Sequence, residues 1–174
     1  MRPLLHWCLA LLPSLGLGLD NGLGRSPPLG WSTWNYFATH INESLIVQTA
    51  DAMISTGLAS EGYEYINIDA GYLTGSRDDA GKLAVDREKF PNGIRALSEY
   101  IHSKGLKLGV YTDIGQGSCG SGPGSYDHYE IDATTFAHDW EVDYLKVPPP
   151  YICVARVAAE VAVTGGLLRQ VGES

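Results

Sequence analysis

Positive charge is scarce in this sequence. Twelve Lys and Arg stand against twenty Asp and Glu, a formal charge of −8. Nucleic-acid affinity is built largely from clustered cations, so a phosphate backbone is excluded as a partner. Charged residues amount to only 18% of the chain while 44% is hydrophobic, which excludes wholesale disorder. No apolar run beyond the first eighteen residues approaches a membrane span, so none is expected there. The 21 glycines show no three-residue period, and collagen-like and low-complexity classes fall away. His6, His40, His102, His128 and His138 lack tight ligand spacing. Gly115 to Gly124 has neither the dinucleotide fingerprint nor a P-loop lysine, so no metal, nucleotide or other cofactor is implied.

The N-terminus reads as a signal peptide over residues 1–18. Met1-Arg2-Pro3 is a short basic start, and Leu4 to Leu17 is an apolar run interrupted by His6, Pro13 and Ser14. That run is too short to cross roughly 30 Å of hydrocarbon, and the small Gly16 and Gly18 suit cleavage before Leu19. A buried N-terminal helix is the alternative. Cleavage removes Cys8, leaving Cys119 and Cys153, for which secretion permits a disulfide without requiring one. Asn42-Glu43-Ser44 is a glycosylation sequon in such a compartment.

The remaining chain alternates strand and helix. Leu29 to Trp34 is the first expected strand, followed by a helix with Ile46, Ala50, Met53, Ile54 and Leu58 on its apolar face. Tyr63 to Asp69 alternates and is rich in aromatic and β-branched residues, a strand that ends on a carboxylate. Asn92 is placed to cap the next helix, whose inward stripe is Ile94, Leu97, Ser98 and Ile101, with Gly105 as its stop. Leu106 to Thr112 is a third strand, again followed by a carboxylate, Asp113. A helix near Asp132 to His138 precedes a fourth strand, Val142 to Val147. Four strand-then-helix steps without hairpin signals mean parallel strands and an α/β fold, barrel or open sheet. Singly, Asp69 or Asp113 could equally be a loop cap.

From Leu19 onward the residues carry a resemblance. Leu19 to Trp31 followed by Trp34-Asn35, Gly62-Tyr63-Glu64-Tyr65-Ile66-Asn67-Ile68-Asp69, Lys89-Phe90-Pro91-Asn92-Gly93, His102 to Asp113, Pro123-Gly124-Ser125 and Val142-Asp143-Tyr144-Leu145-Lys146 resemble, in order, the alpha-galactosidase (melibiase) family, glycoside hydrolase family 27. The resemblance implies a secreted or lysosomal/vacuolar retaining hydrolase of terminal alpha-galactosyl residues, on a TIM (β/α)8 barrel followed by a β-sandwich. Its substrate partners would be galactose-containing oligosaccharides or glycoconjugates. By position, Trp34 would be the aromatic wall against the sugar ring, Asp69 would accept sugar hydroxyls, and Tyr111 and Lys146 would line the same subsite. Such a set suits galactose, whose ring offers an apolar face and whose hydroxyls need charge-assisted partners.

Several positions depart from the family pattern. Asp69-Ala70-Gly71-Tyr72 stands where two aspartates and a cysteine are usual, and the cysteine's usual partner position is Thr39. Ala70 implies a roomier or less polar pocket at one hydroxyl. The nucleophile position, two residues beyond Lys146, is Pro148, and the expected partner of Cys119 is Pro150. A retaining glycosidase needs two carboxyls about 5 Å apart, so no catalytic residue is retained. Residues 148–174 contain no Asp, Lys, Trp or Phe and show no family block, which points to an altered transcript or gene structure. A divergent tail with an apolar stripe at Val154, Val157, Ala158, Val161 and Ala162 is the alternative.

The expected domain is therefore residues 19–147, the N-terminal half of a barrel with about four strand-helix units and no β-sandwich. Its open sheet edges would expose it to self-association. Two readings follow: an incomplete glycosidase of this family, or a non-catalytic glycan-binding protein.

Overall fold

The computed structural model describes residues 25–118 and 122–148. The expected signal peptide, Cys8, Cys119, Cys153 and all of the 148–174 tail except Pro148 lie outside the described residues. Four strands form a parallel sheet: β1 (Gly30–Ser32), β2 (Tyr65–Ile68), β5 (Lys107–Tyr111) and β6 (Tyr144–Lys146), side by side in chain order. A doubly wound sheet would reverse its order at some point, and this one does not. Between these strands run α1 (Trp34–Phe37), α2 (Glu43–Ser55), α3 (Gly93–Ser103) and α4 (Tyr129–Thr134), the last continued by a π-turn over Thr135–Asp139.

The register sorts side chains onto two faces, because paired residues in a parallel ladder point the same way. Ile66 and Ile68 of β2 and Leu108 and Val110 of β5 face the helices. There they meet Ile46, Ala50 and Met53 of α2, Ile94, Leu97 and Ile101 of α3, and Phe136 and Trp140. Each such side chain contributes about 1.5–3 kcal/mol when buried, so this side of the sheet holds the fold together. The opposite face carries Ser32, Asn67, Gly109 and Tyr144 in one row and Tyr111 with Lys146 in the next. Gly109 has a steric reason: a Cβ there would lie 2.0 Å from Asn67 Oδ1, a buried oxygen with no protein partner among the described residues.

Local chemistry adjusts the elements expected from the sequence. Strand β1 stops at Ser32, and Trp34 opens α1 instead of ending a strand. Ile46, Ala50 and Met53 are buried as expected, but Ile54 is exposed and Leu58 lies beyond the helix and is exposed too. Asn92 precedes α3 without a side-chain cap: its backbone is helical (φ −87°, ψ −11°) and not extended, and its amide nitrogen donates to Glu43 Oε1 at 2.6 Å. Asn42 caps α2, its side chain accepting from the Leu45 amide at 2.9 Å.

The expectation of no hairpin is overturned. β3 (Leu73–Arg77) and β4 (Leu83–Val85) form an antiparallel ribbon, turned at Asp78, whose carboxylate accepts from the amides of Ala80 and Lys82. Arg77 ties this ribbon to α4 and to the loop before it. Its guanidinium donates to both carboxylate oxygens of Asp132 in α4, at 2.6 and 2.8 Å, and to the carbonyls of Gly81 and Gly124. The fork geometry satisfies both charges where neither could be left alone, since the Asp132 side chain is 1% exposed and that of Arg77 12%.

Replacing Arg77 by Leu is expected to destabilise the chain by about 3–5 kcal/mol, because it strands a buried carboxylate. Urea unfolding followed by circular dichroism measures this. A loss below about 1 kcal/mol, the value of an exposed pair, would contradict the assignment.

Candidate functional site

The segments after β1, β2, β5 and β6 all leave the same end of the sheet, as parallel pairing dictates. Asp69 follows β2 directly and is 4% exposed. Three groups hold it. Its amide donates to Thr33 Oγ1 at 2.9 Å, its Oδ1 accepts from the Ala70 amide at 2.8 Å, and its Oδ2 accepts from Lys146 Nζ at the end of β6. Thr33 is itself fixed by its amide, which donates to the Asn67 carbonyl at 3.1 Å.

Tyr111 closes β5 between Asp69 and Lys146. The Lys146 ammonium lies 5.5 Å from the Tyr111 ring centroid, within cation–π range, and the Tyr111 hydroxyl donates to Asp113 Oδ2 at 3.3 Å. Tyr72 donates its hydroxyl to the Tyr111 carbonyl at 2.7 Å. Burial pushes the Tyr72 phenol well above its usual pKa, with the nearby Asp132 charge adding to the effect. The Tyr72 hydroxyl therefore remains a donor.

Of the four residues expected at a sugar subsite, Lys146 joins two others: it bonds Asp69 and lies over the Tyr111 ring. Trp34 lies on the same end of the sheet, one residue beyond Thr33, with 37% of its surface exposed. The cluster offers complementary hydrogen-bonding capacity. Each Asp69 oxygen keeps a lone pair beyond its present bond, and a lysine ammonium has three protons for donation. Adjacent hydroxyls of a polyol, each donor and acceptor at once, are the ligands such a pair can serve.

Sequence reasoning passed over Thr33 and Tyr72. Thr33 sits at a strand end beside a residue already singled out, Trp34, and its position was the available signal. Nothing in sequence spacing pointed to Tyr72. Where the expected acid would follow Asp69, the Ala70 methyl is buried. Thr39 and Gly71, the two positions of the expected cysteine pair, are in contact, and a Cβ on Gly71 would come 3.0 Å from Thr39 Cβ. Pro148 follows β6 by two residues and brings no titratable group. Among the described residues no group of three His, Cys, Asp or Glu could hold a metal ion, and no helix is long and apolar enough to cross a membrane.

The family described as Alpha galactosidase A matches residues 26–162, a stretch that continues past Val147. An alpha-galactosidase of Cyamopsis tetragonoloba is 54% identical over 128 residues, covering 73% of this chain and 31% of the relative. The chain thus spans about a third of that relative's length. Alpha-galactosidase I of Mortierella vinacea superimposes with a TM-score of 0.82 at 35% identity, over 88% of this chain and 40% of that one. The alpha-galactosidase of Saccharomyces cerevisiae solved with raffinose gives 0.81 at 35% identity, over 87% of this chain and 34% of that one.

Thr33→Val keeps the shape at the first strand's end and removes the acceptor for the Asp69 amide. The expected cost is about 1–3 kcal/mol, the penalty of a buried unsatisfied donor. Faster hydrogen exchange at the Asp69 amide, read by NMR, is the accompanying sign, and unchanged protection would refute it.

Proposed function

Because the chain belongs to the Alpha galactosidase A family, matched over residues 26–162, we propose that it carries the galactose-recognising side of a retaining glycoside hydrolase acting on terminal alpha-D-galactosyl residues. The observation that supports this most is the cluster of Asp69, Lys146 and Tyr111 at the C-terminal end of four parallel strands. Its acceptor and donor pair suits neighbouring sugar hydroxyls, and Trp34 supplies the indole against the ring's apolar face. Galactose-containing oligosaccharides or glycoconjugates are the ligands. The yeast neighbour solved with raffinose supports that class.

Hydrolysis by this chain is a separate matter. Double displacement needs a nucleophilic carboxylate and an acid/base carboxyl about 5 Å apart. The resemblance assigns the nucleophile to the position of Pro148, which cannot form a covalent glycosyl intermediate. The resemblance gives Asp69 the sugar hydroxyls and not the nucleophile's role, and its charge is paired with Lys146. The chain therefore binds without turning over.

The same reading takes the four-stranded sheet as the N-terminal half of a (β/α)8 barrel. Its outer strands, β1 and β6, each pair on one side only among the described residues, so self-association through these edges follows from the reading. A secreted or lysosomal/vacuolar destination goes with the signal peptide expected over residues 1–18. The exposed Asn42 would carry a glycan on its amide nitrogen while its carbonyl continues to cap α2.

Purified chain, assayed with 4-nitrophenyl alpha-D-galactoside and melted with and without galactose, tests the reading. The expected result is no nitrophenol release, together with stabilisation of about 1.4 kcal/mol at ten times Kd, or about 3–6 °C, lost in Asp69→Asn. Release that Asp69→Asn abolishes would refute the inactivity assigned to Pro148. Equal melting with and without galactose would refute the subsite.

A further inference from the structure

Lys89 lies in the turn between β4 and α3, away from Asp69, yet its ammonium reaches two backbone carbonyls close to the site. It donates to the Gly71 carbonyl at 3.0 Å and to the Thr39 carbonyl at 3.3 Å, and lies 3.8 Å from Asp86 Oδ2. Gly71 comes two residues after Asp69. Thr39 belongs to the segment that Trp34 opens, and that segment is internally tied: the Ala38 amide donates to the Trp34 carbonyl at 3.0 Å and the His40 amide to the Phe37 carbonyl at 2.8 Å. A shift of Thr39 would therefore be passed on to Trp34.

On the Gly71 side the two segments meet at bare backbone. Gly71 has φ +110°, in the region that side chains disfavour, and a Cβ added there would stand 2.8 Å from Thr39 Cα. Gly71 brings no side chain to this crossing, so hydrogen bonding to the two carbonyls sets its register against Thr39. Two carbonyls aimed at one point repel each other unless a cation lies between them, and a lysine ammonium has three protons for such acceptors.

The turn that presents Lys89 is fixed by other groups. The Asp86 amide donates to the Tyr72 carbonyl at 3.0 Å, the Glu43 amide donates to the Lys89 carbonyl at 2.9 Å, and Glu43's carboxylate accepts from the Asn92 backbone and side-chain amides at 3.0 and 2.6 Å. The ammonium, 3.8 Å from Asp86 Oδ2, gives its hydrogen bonds to the neighbouring segments.

We propose that Lys89 is a positioning residue for the sugar subsite: it gathers the Thr39 and Gly71 carbonyls and so sets the Trp34 segment against the Asp69 segment. The proposal rests on the galactoside reading of those two residues. It concerns alignment, and Lys89 itself touches no ligand.

The test is Lys89→Met in the whole chain, read by galactose titration well below the thermal midpoint and by hydrogen exchange of the ligand-free protein. Affinity is expected to fall about tenfold, on the scale of one lost charge-assisted hydrogen bond. Exchange should rise in residues 33–42 and 69–72 while α3 and α4 stay protected, a pattern that general destabilisation would not give. A variant that binds galactose as tightly as the parent, with unchanged exchange in both segments, overturns the proposal. If the parent itself fails to bind galactose, the galactoside reading falls instead. The exchange pattern then decides the alignment alone, unchanged protection overturning it. Should Lys89→Met not fold, Lys89→Gln is read by the same criteria.

Discussion

Parallel pairing is the constraint from which the rest of this structure follows. Each strand must be re-entered from the same end, so every connection crosses the sheet and every segment leaving a strand emerges at one rim. The crossing helices need an apolar surface to lie on, which Ile66, Ile68, Leu108 and Val110 supply. With hydrophobic burial spent on that side, the other face is left to Ser32, Asn67, Gly109, Tyr111, Tyr144 and Lys146. A buried carboxylate at the rim can then be answered by an ammonium two strands away in the sheet.

That division of labour explains what was legible in the sequence. The strand cores and the stripe of α3 obey simple periods, and the structure buries Ile94, Leu97, Ser98 and Ile101 together. Asp69, Tyr111 and Lys146 share a distinctive place, at or just beyond a strand's last residue, and the family resemblance named them by position. That Lys146 meets the other two depends on register, which no spacing along the chain reveals. The part of the reading that concerns Trp34 is positional only.

The misses have physical causes. Leu73-Thr74-Gly75-Ser76-Arg77 has one apolar residue in five and reads as loop; it becomes a strand because Arg77 is pulled into a buried pair with Asp132, fifty-five positions away. Asn92 has the side chain of a helix cap, but its backbone is helical (φ −87°, ψ −11°) where a capping residue is extended, and its amide nitrogen bonds the Glu43 carboxylate. Ile54 fits the helical period of α2 and is still exposed, since the stripe there is wider than the surface available to cover it.

The sheet's chain-order sequence of strands has a consequence for biogenesis. Within the parallel sheet, each strand after the first finds a hydrogen-bonding neighbour already synthesised: β2 joins β1, β5 joins β2, β6 joins β5. A polypeptide emerging N-terminus first can therefore zip its sheet unit by unit on the ribosome, with no strand held open for a partner still to be translated. The side-chain ties close later: Arg77 to Asp132 once α4 has appeared, and Asp69 to Lys146 once β6 has.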